Sequence, residues 1–278
     1  MQAPPTAVAV GDWQREEFRL VRAAIDPAGR WPTTASLAEL LERASESGRP
    51  PELVLLAAAR PGGVEQGDVD RLQAAWPLTR LVIVAGAWCE GELRSGRPPV
   101  GAVRLYWHEL TAWWRHASSQ LATGQAPLWS APLDNVRSGQ SMTTHRDDSA
   151  AVAHRGVLAV DAADYAVFET LAAGLANYGW KCQWRPWHRP EIESAPGDAP
   201  FAAGVWNGGQ LDGREVNSLA TFCARLAPAR AAVVVLLDYP RAEHVGIAKE
   251  AGAGAILGKP YQLAALADEL RRLTGSAI

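Results

Sequence analysis

The stretch AAVVVLLDYPRAEHVGIAKEAGAGAILGKP, residues 231–260, decides the reading of the fold. Ala231 to Leu237 is a short continuous apolar run with a β-branched centre. A run of that length without alternation reads as a strand covered on both faces. His244 to Ala251 has helical character, and Gly252 suits the left-handed position after a helix. Ala255-Ile-Leu257 is a second short apolar run. Strand, helix and strand in this spacing form a βαβ unit, whose right-handed crossover leaves the two strands parallel.

The same alternation extends in both directions. Upstream, Gly156 to Val160 is a buried strand ending at Asp161. Val167, Phe168, Leu171, Leu175 and Tyr178 then recur at helical spacing. Lys181 to Trp184 and Phe201 to Val205 are further strands. Val216, Leu219, Cys223 and Leu226 mark a helix opened by the Asp212-Gly213 turn. Downstream, Leu263, Leu266, Leu270 and Leu273 mark a last amphipathic helix, with Arg271 and Arg272 at the end its dipole favours. The result is a five-stranded, doubly wound α/β domain.

The first half repeats this plan at a displacement of about 150 residues, as internal repeats do. Ala7 to Val10, Glu52 to Leu56, Arg80 to Val84 and Val103 to Leu105 match the first, third, fourth and fifth strands. Glu109 to His116 matches the last helix. Between the halves, a Ser-, Gly-, Pro- and Thr-rich stretch lacks any sustained period and reads as a linker. The organisation is therefore a domain over 1–118, a linker over 119–153 and a domain over 154–278. Each domain is doubly wound, five-stranded and flavodoxin-like.

Composition narrows the function. The chain has 278 residues, 48% of them hydrophobic and 21% charged, and a net charge of -3. That balance is globular and gives no basic surface for nucleic acid. No apolar run is long enough to span a bilayer, and the first twenty residues, with Asp12, Glu16 and Glu17, do not read as a signal peptide. Three widely spaced cysteines, Cys89, Cys182 and Cys223, suggest a reducing cytoplasm rather than a disulfide framework.

At this point the second half resembles the receiver domains of bacterial response regulators. The resemblance rests on Asp161 after the first strand, VWNGGQLDG (205–213) after the third, Leu237 after the fourth and EAGAGAILGKP ending in Lys259-Pro260. The first half is similar mainly through the repeat and through LLAAARPG, with Pro61 after its third strand. In that family, paired acids hold magnesium, an aspartate accepts phosphoryl, and a hydroxyl and a lysine contact the phosphate. The resemblance places those roles at Asp161, Val205, Leu237 and Lys259, and in the first half at Asp12 and Ala57. Ala162 follows Asp161 where a second acid would stand. Neither Val205 nor Ala57 is a nucleophile, and a single carboxylate is a poor magnesium site. The expectation is two pseudo-receivers without phosphoryl chemistry, metal or cofactor. An ion pair between Lys259 and Asp161 and a cis Lys259-Pro260 bond are also expected.

With chemistry absent, recognition remains. The implied partners are proteins, such as a signalling kinase or another receiver. A homodimer would use the face from His244 to Lys249 and Leu263 to Leu273. The segment from Ala85 to Trp114 supplies a second candidate edge at Trp88, Cys89, Glu90, Glu92, Tyr106, Trp107 and His108, since the loops after the fourth and fifth strands lie side by side. Glu90 and Glu92 are expected to pair with Arg94 and Arg97. A competing reading brings Cys89, Glu92 and His108 together for nucleophilic chemistry or ligand binding. Trp113 and Trp114 point about 100° apart on one helix, so they cannot share a core, and Trp129 is a candidate to cover one of them. KCQWRPWHRP (181–190) reads as an Arg- and Trp-rich strand end.

Overall fold

The computed structural model describes residues 5–47, 50–130, 154–186 and 200–275. The chain divides into two compact units, Met1–Thr144 and His145–Ile278.

The first unit runs β1 (Ala7–Val10), α1 (Glu16–Ile25), β2 (Thr33–Thr34), α2 (Leu37–Ser47), β3 (Leu53–Ala58), α3 (Gln66–Ala75) and β4 (Arg80–Ala85). A single 3-10 turn (Ala87–Cys89), the short α4 (Glu92–Ser95), β5 (Val103–Tyr106) and α5 (Trp107–Ala122) follow. Its sheet has the order β2-β1-β3-β4-β5, with every pairing parallel. The second unit runs β6 (Gly156–Ala162), α6 (Tyr165–Ala176), β7 (Trp180–Trp184), β8 (Ala203–Asn207), α7 (Gly213–Leu226), β9 (Ala232–Asp238), α8 (Ala242–Glu250), β10 (Ala253–Lys259) and α9 (Leu263–Leu273). Its parallel order, read from β7, is β7-β6-β8-β9-β10. Both are the 2-1-3-4-5 order of the flavodoxin-like fold.

Alternation along the central strands sorts the second unit's core onto two sides. Leu158, Val160, Ala162, Val205, Val234 and Leu236 pack with Phe168, Leu171, Leu266 and Leu270 of α6 and α9. Ala159, Trp206, Val233, Val235 and Leu237 pack with Leu219, Phe222 and Ala248 of α7 and α8. Because both faces are covered, these strands read in the sequence as unbroken apolar runs.

Some boundaries differ from the sequence reading. The second strand of the first unit is only Thr33–Thr34 at the sheet edge, too short to leave a pattern. Strand β8 runs on to Asn207, two residues past the expected end at Val205, because the Trp206 ring is buried against α7. Helix α5 continues to Ala122, past the boundary at 118. Beyond it, Leu128–Ser130 forms a 3-10 turn whose Trp129 stacks on Trp114 with centroids 5.4 Å apart and tilts against Trp113 at 6.0 Å. Trp31 meets Trp114 in an edge-to-face arrangement with centroids 4.9 Å apart. Arg80 Nε donates to the Trp129 carbonyl at 2.6 Å, fixing this turn to the foot of β4. Trp187, His188 and the rest of 187–199 lie outside the described residues, as does His145. No described helix is long and apolar enough to cross a membrane.

Candidate functional site

In an open parallel sheet, ligands and reactive groups gather at the carboxyl ends of the strands. In the second unit this edge is formed by Asp161 and Ala162 of β6, Asn207 of β8, Asp238 of β9 and Lys259 of β10. Val205 is not at the tip. It pairs with Val160 and Val234, has 0% exposure and belongs to the core facing α6 and α9. Leu237 is also fully buried, one residue short of the strand end, on the opposite side. The acceptor and hydroxyl positions implied by the resemblance are therefore core positions, and Asn207 and Asp238 occupy the tips.

Lys259 is the cation of this edge, and its partners differ from expectation. Its Nζ lies 3.2 Å from Asp238 Oδ1 and donates to the Gly208 carbonyl at 2.5 Å. The sequence reading paired it with Asp161. Instead the parallel register places Asp238 directly beside Lys259. Asp161 sits across from Trp206 and is 3% exposed. The Lys259-Pro260 bond is cis.

The loop after β8 is built for shape. Asp212 caps α7 by accepting from the backbone N–H groups of Arg214 and Glu215, both at 3.0 Å. Glu215 reaches back and accepts from Gly209 N at 2.7 Å and Leu211 N at 2.6 Å. That bracing holds Leu211 at φ 55, in the left-handed region. Gly208 is required because a Cβ there would lie 1.9 Å from the Trp206 ring. The Asp-Gly pair behind the family resemblance thus has a capping role.

The first unit's edge has different contents. Asp12 caps a local turn, accepting from Gln14 N at 3.1 Å, and Ala57 lies within β3. Trp13 is buried, donates to the Val10 carbonyl at 2.9 Å and meets Phe18 at 5.8 Å. Gly86 leaves room for the Glu17 carboxylate and the Phe18 ring.

The segment after β4 brings the other candidates into one neighbourhood without joining Cys89, Glu92 and His108. Cys89 is fully buried and its Sγ donates to the Ala58 carbonyl at 3.3 Å. Burial is the main force raising its thiol above the usual range. Glu92 pairs with Arg104 at 2.7 Å and accepts from Gly62 N at 3.2 Å. His108 Nε2 lies 3.1 Å from Glu90 Oε1. The expected pairing of Glu90 and Glu92 with Arg94 and Arg97 is replaced by His108 and Arg104. Arg104, which the sequence reading passed over, organises the edge: it also reaches the Cys89 carbonyl at 3.4 Å and lies over the Tyr106 ring at 5.5 Å. A charged residue inside the otherwise apolar β5 was the available signal. Tyr106 stacks on His108 at 5.7 Å, and its N–H is capped by Glu109 at 2.7 Å. Trp107 is buried, whereas Trp88 is 71% exposed. Among the described residues, no three His, Cys, Asp or Glu side chains gather as a metal-holding group.

No protein-family model matches this chain, and no curated protein matches it. Solved structures similar to it include a response regulator from Thermotoga maritima, 17% identical, with a TM-score of 0.34, covering 43% of this chain and 98% of its own. A probable two-component system response regulator/GGDEF domain protein is 11% identical, covers 98% of each chain and has a TM-score of 0.31. A D-isomer specific 2-hydroxyacid dehydrogenase from Lactobacillus delbrueckii is 8% identical, covers 98% of this chain and 95% of its own, and scores 0.24. Likeness at these scores assigns neither a family nor an activity.

Proposed function

We propose that this chain is a tandem of receiver-like domains that takes no phosphoryl group and acts by protein–protein recognition in bacterial signal transduction. In this reading it performs no chemistry, and the receiver scaffold serves as a rigid platform for its edges. The observation that carries the proposal is the burial of Val205 at 0% exposure where the resemblance calls for an acceptor carboxylate. Supporting it, Lys259 is already engaged by Asp238 and the Gly208 carbonyl, so its charge is spent within the protein. Phosphoryl transfer relies on positioned charge around an accessible acceptor. Cys89, buried on a backbone carbonyl and without a hydrogen bond to His108, does not support a nucleophile–base pair. Exposure to acetyl phosphate and Mg²⁺, followed by intact mass measurement, tests the proposal. An unchanged mass is expected, and a stoichiometric phosphoryl adduct would refute it.

A further inference from the structure

We infer that the segment following β4 in the first unit is a docking surface for an acidic protein segment, with Trp88 as its anchor. The inference rests on the recognition reading above and adds the chemistry of the partner.

Glu90 and Glu92 turn inward, Glu90 to His108 at 3.1 Å and Glu92 to Arg104 at 2.7 Å and the Gly62 amide. Both are largely buried, so neither projects a negative field outward. Arg94 and Arg97, on the same segment, are exposed, as is Arg60 in the adjoining β3–α3 loop. Among the described residues, none of these three arginines forms an ion pair. The segment thus hides its acids and displays its bases, although the whole chain carries -3. On the same segment Trp88 is 71% exposed. An exposed indole on a segment that displays unpaired guanidinium groups matches the composition of interface hot spots, and charge complementarity selects an acidic partner. Its mounting is firm: Cys89 is anchored on Ala58 and its carbonyl is held by Arg104 on β5. Here α4 spans only Glu92–Ser95, against nine residues in α8 of the second unit, so the ordinary fourth helix does not cover this edge.

The test is selection of a random displayed peptide library on the full chain, followed by fluorescence anisotropy of the enriched peptides. Acidic peptides should be enriched. Their affinity should fall about tenfold or more between about 50 and 300 mM NaCl as screening shortens. Trp88→Ala should weaken binding about 30-fold, the scale of a hot-spot truncation. The double variant Arg94→Glu/Arg97→Glu should abolish it. These side chains are exposed, so unchanged circular dichroism serves as the folding control. Enriched peptides that are neutral or basic yet depend on Trp88 would overturn the acidic partner and leave recognition standing. Acidic peptides indifferent to Trp88→Ala would overturn the site. An absence of enriched binders would overturn the inference, while the phosphoryl test judges the underlying reading separately.

Discussion

Placing a carboxylate where the resemblance calls for one should strongly destabilise the second unit at neutral pH instead of creating an acceptor. Val205→Asp puts the introduced group among Leu158, Val160, Val234 and Leu236. Loss of the valine's apolar burial costs about 1.5–2 kcal/mol. A neutral carboxyl without a hydrogen-bond partner costs about 1–3 kcal/mol more. Burial penalises the charged form, so the folded-state pKa rises above the unfolded value of about 3.9. The folded state then binds more protons, and stability falls as pH rises above about 3.9 until the folded pKa is passed. Holding the group neutral up to pH 7 costs about 4 kcal/mol, from about 1.4 kcal/mol per pH unit. The loss is thus about 2.5–5 kcal/mol near pH 4 and about 6.5–9 kcal/mol at pH 7, against a typical domain stability of about 5–15 kcal/mol. Val205→Ala, losing about 2 kcal/mol at both pH values, is the control for the cavity alone. Because the chain has two units, hydrogen exchange of peptides from β6 and β8 reports the effect better than one global melt. Parental protection at pH 7 in Val205→Asp, with a phosphoryl adduct from acetyl phosphate, would refute this account of the edge.

Further outcomes follow from the same packing. Arg104→Met should strand the Glu92 carboxylate and cost about 3–5 kcal/mol, most of it recovered by adding Glu92→Gln, with exchange across residues 87–96 as the readout. Asp212→Ala should cost about 1 kcal/mol through the lost cap of α7, seen as a lower denaturation midpoint for the second unit. Burial pushes the thiols of Cys182 and Cys223 up to about 11 and raises Cys89. All three should therefore resist alkylation at pH 8 until denaturant is added, and a fast-reacting Cys89 would favour chemistry at that edge. These acids hold their protons longer when folded, so their contribution to stability declines as pH rises above the ordinary thiol range, around 9, towards about 11.

Much of the architecture was legible because it is local. Ala232–Asp238 is covered on both sides, so its strand appears as an uninterrupted apolar run. Helix α9 declares itself by one leucine stripe, and the Asp212-Gly213 pair by its capping geometry. Edges were harder to read. Thr33–Thr34 is two residues long and contributes a single side of the sheet, leaving no period to detect. Trp206 extended β8 because its ring found a buried place beside Gly208, which depends on α7 packing overhead.

The amino-acid order alone determined that two βα-alternating halves exist and that the residues matched to the phosphoryl acceptor, Val205 and Ala57, are aliphatic, since both follow from residue type and short-range periodicity. Tertiary structure decided which charges meet. Lys259 turned to Asp238 because parallel register sets those strand ends side by side, and Arg104 claimed Glu92 because β5 pairs beside β4, from whose end the segment departs. It also turned the Cys89 thiol to the Ala58 carbonyl, Glu92 to Arg104 and His108 to Glu90, and left Trp88 outside. Pairings between distant residues depend on crossovers and strand order, which short windows of sequence do not encode.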